Sequence, residues 1–165
     1  MAHSSPSSNG DHPASVAFDS DTFDDALHTL MEQRQRRTGT GLVFHGGTRE
    51  QRQQALTHLT QQVTGTVHQF DASSLLTDRR MQTQNELRKA FDHAAEEEAL
   101  LYFDRADPLF THRHPDAPDA DTAPTTLEYV FDRVGAFDGI VVLGLQQKRH
   151  VERAHRIAHL VVQFE

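Results

Sequence analysis

Short apolar runs that alternate with longer segments of helical periodicity constrain the fold of this chain more than any other feature. The apolar runs have strand length and lie at 42–47, 66–71, 99–104, 139–144 and 160–164. The helical segments have apolar residues on one face and lie at 21–36, 49–63, 84–98 and 126–134. Strands that alternate with helices form parallel units, and near-continuous apolar strands are typical of a sheet covered on both faces. We therefore predict an α/β fold, a three-layer α/β/α sandwich around a mainly parallel sheet of five strands.

Composition narrows the classes of function. At 165 residues the chain has the size of one domain. It has no run near the ~18 apolar residues that a membrane span needs and no signal segment, so we expect a cytoplasmic protein without membrane contact. The lack of cysteine excludes disulfides, thiolate metal sites and a cysteine nucleophile. The net charge of -8 argues against nucleic acid as a partner, because phosphates bind to cationic surfaces.

The N-terminal segment differs in composition from the remainder. Its opening stretch "MAHSSPSSNGDHPAS" is rich in serine, proline and glycine and offers almost no apolar side chain to bury. Such segments cannot offset the entropy of ordering their backbone. We therefore predict a disordered tail over 1–18 and a folded α/β domain over 19–165.

Glycine, acid and amide residues stand where three predicted strands end. Gly46 and Gly47 follow the first strand, Asp104 ends the third, and Gln146 follows the fourth. In open parallel α/β sheets the ligand crevice lies beyond the carboxyl ends of the strands, so we expect these residues to meet. A glycine turn that opens a helix is typical of phosphate binding, since free backbone amides there face an anion. A glycine pair chosen only for a tight turn is the alternative.

The order of these pieces resembles the core of the AAA+ ATPases. "GLVFHGGTREQRQQAL", "ELRKAFDHAAEEEALLYFDRADPLF" and "AFDGIVVLGLQ" stand where that family has the Walker A turn, the Walker B strand and the strand with a polar sensor residue. The resemblance runs from about Gly41 to the C-terminus and is most specific from Leu87 to Phe110. It implies a P-loop NTPase-like sheet, ATP and Mg²⁺ as ligands, and assembly side by side with other AAA+ subunits. Because the sequence ends where the family's helical lid begins, we expect no lid domain.

The phosphate-binding turn departs from the family pattern at three consecutive positions. Walker A has the form G-x-x-x-x-G-K-[ST]. Counted from Gly46, the last three positions are Gln51, Arg52 and Gln53. Arg52 keeps a cation, but its planar fork differs from the compact ammonium of lysine, and Gln53 has no hydroxyl for Mg²⁺. The resemblance therefore implies an altered phosphate cradle.

The catalytic positions are altered as well. Asp104 matches the metal-side acid of Walker B, whereas Arg105 replaces the family's catalytic Glu. A permanently charged guanidinium cannot accept a proton from water. Gln146 takes the place of the sensor asparagine. Arg156 matches the first of the family's paired arginines, and Ile157 replaces the second.

Each of these residues also has a purely structural interpretation. Asp104 can pair with Arg52 or Arg105, Arg156 can be a solvated surface charge, and Gln146 can be a polar strand end. We predict a degenerate AAA+ domain, that is, a pseudo-ATPase that needs no cofactor. We expect it to act through protein partners, either AAA+ subunits or a multiprotein assembly. The alternative is a weak ATPase that binds ATP and Mg²⁺ in unorthodox ways. The vestigial nucleotide site comprises Gly46, Gly47, Arg52, Gln53, Asp104 and Gln146.

Histidines suggest metal binding at two places. His155 and His159 have i, i+4 spacing but lie where helix should give way to strand, and histidine is frequent throughout the chain. The other place is the Pro-rich loop at 111–124. Such a loop does not hold ligands in a fixed geometry. We therefore assign no metal site. The candidate ligands in that loop are His112, His114, Asp116, Asp119 and Asp121.

Overall fold

One parallel sheet organises the structure, a computed structural model that describes residues 13–18, 21–34, 39–62, 66–112 and 125–164. Within these residues the sheet has six strands, in the order β1-β6-β2-β5-β4-β3, and every neighbouring pair is parallel. The predicted α/β sandwich is confirmed, with six strands in place of five. The strands are β1 (Ala14–Ala17), β2 (Thr40–His45), β3 (Val67–Asp71), β4 (Leu100–Asp104), β5 (Ile140–Leu145) and β6 (Ala158–Gln163).

Helices connect the strands and cover the sheet. One of them begins with a capping box, in which the Thr125 side chain accepts from the amide of Glu128 while the Glu128 side chain accepts from the amide of Thr125. Among the described residues, no helix has both the length and the apolar character needed to cross a lipid bilayer. The helices are α1 (Asp21–Arg34), α2 (Arg49–Gln62), α3 (Ala72–Leu75), α4 (Arg80–Glu96), α5 (Pro108–Thr111), α6 (Thr126–Ala136) and α7 (Lys148–Arg153), the last followed by a 3-10 turn at Ala154–Arg156.

The extra strand lies inside the predicted tail. Ala14–Ala17 pairs with β6, and the Val16 side chain is buried in the core. The amide of Phe18 donates to the carbonyl oxygen of Gln163 at 2.9 Å. The prediction of disorder is therefore wrong for 14–17, and residues 1–12 lie outside the described residues. A four-residue edge strand is held mainly by backbone hydrogen bonds and buries a single large side chain, so it leaves almost no trace in composition.

Apolar side chains fill two cores, one on each face of the sheet. Successive residues of β2 alternate between them, with Leu42 and Phe44 in one and Val43 in the other. Helices α1 and α2 cover the first face, and α4, α6 and α7 cover the second. Full burial of each such Leu, Val or Phe side chain contributes about 1.5–3 kcal/mol. Helices therefore cover both faces of the sheet, as the near-continuous apolar strands predict.

The strand order reverses direction at β2. From β2 the chain runs through α2 over the first face to β3, at one edge of the sheet. From β5 it runs through α7 over the second face to β6, which lies on the other side of β2. Ligand crevices in open parallel sheets lie at such reversals, beyond the carboxyl ends of the strands. The ends of β2, β4 and β5 therefore define the candidate site.

Candidate functional site

An ion pair between Arg52 and Asp104 connects the start of α2 with the end of β4. Arg52 is in the first turn of α2, and its Nε donates to Oδ1 of Asp104 at 3.2 Å. The two side chains are only 10% and 13% exposed. Nη1 of Arg52 donates to the carbonyl oxygen of Gly47 at 2.8 Å and approaches that of Gly46 at 3.5 Å. The structure thus brings together four of the predicted site residues.

The glycine turn presents carbonyl oxygens to this pair. Gly46 and Gly47 have φ angles of +80° and +79°, in the left-handed region that glycine adopts without strain. A Cβ on Gly47 would lie 2.4 Å from the Cβ of Phe164, so the turn also needs glycine for packing. Both carbonyl groups point at the Arg52 guanidinium. A phosphate requires N–H donors, so these two groups do not form a phosphate cradle in this conformation.

Three backbone amides around the turn have acceptors within the chain. The amide of Gly46 donates to the carbonyl oxygen of Leu145 at 2.9 Å. The amide of Thr48 donates to Oε1 of Gln51 at 2.9 Å, and the amide of Gln51 donates to Oγ1 of Thr48 at 3.1 Å. This reciprocal pair is a capping box that closes the start of α2. Gln51 therefore caps its own helix at the position where the family pattern requires a glycine.

A buried tyrosine completes the environment of Asp104. The Tyr102 hydroxyl donates to Oδ1 of Asp104 at 2.8 Å, so this oxygen accepts from both Tyr102 and Arg52. Burial raises the pKa of Tyr102 far above its ordinary value, and the hydrogen bond to Asp104 acts in the same direction. A Cβ at Gly144 would lie 3.0 Å from the tyrosine oxygen and 3.1 Å from Oδ1 of Asp104. The glycine on β5 therefore makes room for this network.

Arg105 points away from the ion pair. Its φ is +51°, and its side chain is 69% exposed and forms a salt bridge with Asp71, at the end of β3. Asp71 also caps α3, since its Oδ1 accepts from the amide of Ser73 at 3.0 Å and from its hydroxyl at 2.7 Å. The hydroxyl of Ser73 lowers the pKa of Asp71 most, and Arg105 lowers it further. Arg105 thus links the ends of β3 and β4.

Gln146 and Gln53 do not join the ion pair through the observed contacts. The Gln146 side chain is exposed, and the backbone N–H of this residue donates to Oδ1 of Asp107 at 2.9 Å. Gln53 has its Nε2 buried without a hydrogen-bond partner among the described residues. Of the six residues predicted for the vestigial site, these two are therefore not joined to the ion pair by a hydrogen bond.

Asp107 has a structural role that the sequence interpretation missed. Its Oδ2 accepts from the amide of Gln147 at 3.0 Å and lies 2.7 Å from Nδ1 of His150, which is buried. It therefore caps the entry to α7. The signal was the second acid of the "DRAD" run, three residues after Asp104.

The remaining predicted positions lie outside this network. Arg156 lies over the Phe131 ring, with its guanidinium carbon 5.3 Å from the ring centroid. Ile157 packs against the core, and His159 accepts from the amide of Gly41 at 3.2 Å. Nε2 of His112 lies 2.9 Å from the carbonyl oxygen of Thr77. Its suggested companions lie outside the described residues: His114, Asp116, Asp119 and Asp121.

The site as folded is an internally neutralised charge pair. Asp104 has two donors, and Arg52 has a carboxylate and a carbonyl as acceptors. An incoming phosphate could recruit the guanidinium, because arginine binds phosphate oxygens well, but only by separating it from Asp104. In the observed arrangement the pair therefore holds the glycine turn against the end of β4.

Comparison with known proteins adds no family assignment. No protein-family model matches the sequence, and no curated protein matches it. The parallel α/β fold is compatible with a P-loop-like domain. Any functional conclusion therefore depends on the geometry of the site.

Proposed function

We propose that this chain is a degenerate AAA+-like domain, a pseudo-ATPase that does not hydrolyse ATP and acts as a structural or regulatory module in a protein assembly. The observation that carries the proposal is the position of the Arg52 guanidinium. It donates to Asp104 and to the carbonyl oxygen of Gly47, which the resemblance aligns with the Walker B acid and the Walker A turn, the parts that hold Mg²⁺ and the phosphates in that family. The domain thus supplies its own cation and its own acceptors.

The energetics of the ion pair oppose nucleotide binding. A Mg²⁺ ion that used Asp104 would have to separate it from Arg52, and both side chains are almost fully buried. Breaking a buried pair by loss of one partner costs about 3–5 kcal/mol. Each ~1.4 kcal/mol lowers affinity tenfold, so contacts of the nucleotide and Mg²⁺ would first have to offset a cost of that size.

The hydrolytic step also lacks its base. Arg105 cannot accept a proton, and its side chain is held by Asp71 at the neighbouring strand. A positioned general base contributes about 10²–10⁴ in rate. A protein of this design therefore contributes shape and contact surface to an assembly and no chemical turnover.

Calorimetric titration with ATP and Mg²⁺, combined with a phosphate-release assay, tests the proposal. We expect no saturable heat at millimolar nucleotide and no release above that of a mock preparation. Arg88→Gln, an exposed arginine on α4, serves as the control for nonspecific attraction of the nucleotide. One-to-one binding with a turnover that Asp104→Asn abolishes would establish the alternative, a weak ATPase with unorthodox contacts.

A further inference from the structure

Three potential metal ligands converge at the opposite end of the sheet. His68 is the second residue of β3, His93 lies in the last turn of α4, and Glu97 follows that helix directly. Nε2 of His68 lies 2.7 Å from Oε1 of Glu97, and Nε2 of His93 lies 3.8 Å from Oε2 of the same residue. One ligand atom from each residue lies within 4.8 Å of the other two.

The spacing of these atoms is close to that of a metal centre. Bonds of about 2.0–2.2 Å in a tetrahedron place ligand atoms about 3.3–3.6 Å apart. The His68 side chain is 13% exposed and held on a strand, whereas those of His93 and Glu97 are 59% and 51% exposed. Rotation of the exposed His93 and Glu97 side chains can therefore close the site around an ion while the strand ligand stays in place. A fourth position remains open to water.

The ligand types select the class of metal. Imidazole nitrogen suits Zn²⁺, Ni²⁺ and Cu²⁺, whereas Mg²⁺ and Ca²⁺ prefer sites made only of oxygen ligands. Two histidines and one carboxylate form a set that holds Zn²⁺ with one open position in known enzymes. Nε2 of His68 and Oε1 of Glu97 share one hydrogen across their short contact, and a metal ion bound between them would replace that proton.

We propose that His68, His93 and Glu97 bind one divalent transition-metal ion of the zinc class. The ion would fasten β3, an edge strand of the sheet, to the end of α4. The site lies at the amino ends of β3 and β4, whereas Asp104 lies at the carboxyl end of β4. This inference therefore does not depend on the proposed loss of ATPase function.

The sequence contains a matched control for this arrangement. His28 and Glu32 on α1 have the same i, i+4 spacing as His93 and Glu97, and Nε2 of His28 lies 3.3 Å from Glu32. Within the described residues, no third histidine or carboxylate joins that pair in a metal-binding group. The two pairs thus differ in the strand ligand, which is the feature that the proposal requires.

The test is a titration of Zn²⁺ into the 165-residue chain, prepared without a polyhistidine tag and treated with a chelator, with Co²⁺ as a spectroscopic probe. We expect one tight equivalent, a thermal midpoint raised by several degrees, and visible Co²⁺ absorption that excess Mg²⁺ does not remove. Mutation of a residue that only hydrogen-bonds to a metal ligand already lowers metal affinity about 10–100-fold. Loss of a ligand itself, in His93→Ala or Glu97→Gln, should therefore weaken binding by at least ~10-fold. His68→Asn should do the same, and His28→Ala should leave the tight equivalent intact.

Two results would overturn the proposal. One is loss of affinity in His28→Ala equal to that in His93→Ala, which would mean that binding is distributed over surface histidines. The other is an unchanged tight equivalent in all three ligand variants. Circular dichroism and the thermal midpoint of each metal-free variant show whether it is folded, and the exposed His93 and Glu97 variants keep the test decisive if His68→Asn fails to fold.

Discussion

The guanidinium of Arg52 bridges the glycine turn and the end of β4, with its Nη1 2.8 Å from the carbonyl oxygen of Gly47 and its Nε 3.2 Å from Oδ1 of Asp104. Arg52 therefore reaches a carboxylate 52 positions further along the sequence. The bridge lies at the carboxyl ends of the strands, where ligands of open parallel α/β sheets normally bind. Its strength and its competition with ligands can both be measured.

Removal of the cation should destabilise the fold. Arg52→Met leaves the carboxylate of Asp104 buried with Tyr102 as its one remaining donor among the described residues. We expect a loss of about 3 kcal/mol in the free energy of unfolding, measured by urea denaturation. The double variant Arg52→Met/Asp104→Leu should recover part of the loss because it removes the unpaired charge. An Arg52→Met stability within 0.5 kcal/mol of the parent, on the order of an ordinary surface substitution, would contradict a structural role for the pair.

Tyr102 should give the domain a distinct alkaline limit. Its pKa in the folded chain is raised by burial and by Asp104, so the unfolded chain releases this proton first as the pH rises. The stabilisation is fully present below the unfolded pKa of about 10 and is lost as the pH rises through the folded value. We expect the free energy of unfolding to fall above about pH 10 in the parent.

The variant Tyr102→Phe removes this proton and tests its contribution. The alkaline slope should become shallower, while stability at neutral pH falls by about 1.5–3 kcal/mol through the lost hydrogen bond to a charged group. Denaturation curves at several pH values measure both effects. An unchanged slope in Tyr102→Phe would assign the alkaline limit to other groups.

The contact of Arg105 with Asp71 should contribute little to stability. Arg105 is 69% exposed, and exposed ion pairs contribute about 0–1 kcal/mol, so Arg105→Gln should change stability by no more than that. Asp71→Ala also removes the cap of α3 and should cost about 1 kcal/mol. The pKa of Asp71 is lowered in the folded chain, so its contribution is present above the ordinary value of 3.8 and is lost as the pH falls through the folded value. Acid titrations of stability for the two variants distinguish the cap from the ion pair.

Edge strand β1 should belong to the cooperative unit. Val16→Asp places a charge in the core and should cost about 2 kcal/mol or more. The neighbouring Ser15→Asp provides the control because that residue is exposed, and its effect should stay within about 0.5 kcal/mol. Thermal denaturation of both variants checks this. Equal midpoints would show that the strand separates from the sheet before global unfolding.

Rebuilding the phosphate turn tests the proposed origin of the site. In Gln51→Gly/Arg52→Lys/Gln53→Thr, the helix cap and the guanidinium are removed, and the lysine and hydroxyl of a Walker A motif are added. We expect measurable ATP affinity by calorimetry where the parent shows none, and Arg52→Lys alone should give a smaller gain. A folded triple variant that binds no better than the parent would mean that this turn cannot adopt phosphate-binding geometry.

The sequence by itself determined the layers of this protein, because apolar periodicity depends on local spacing alone. It predicted the parallel α/β sandwich and placed Gly46, Gly47 and Asp104 at strand ends. It missed β1, since a short edge strand is stabilised by backbone hydrogen bonds to β6 that carry no compositional signal.

Only the tertiary structure decided what these residues contact. From the sequence, either Arg52 or Arg105 could pair with Asp104. In the fold, Arg52 on α2 pairs with Asp104, whereas Arg105 extends toward Asp71 at the end of β3. In the same way, the fold brought His68 beside His93 and Glu97 across a strand and a helix. Such contacts depend on which elements become neighbours, and in a parallel sheet that is set by crossovers between segments far apart in sequence.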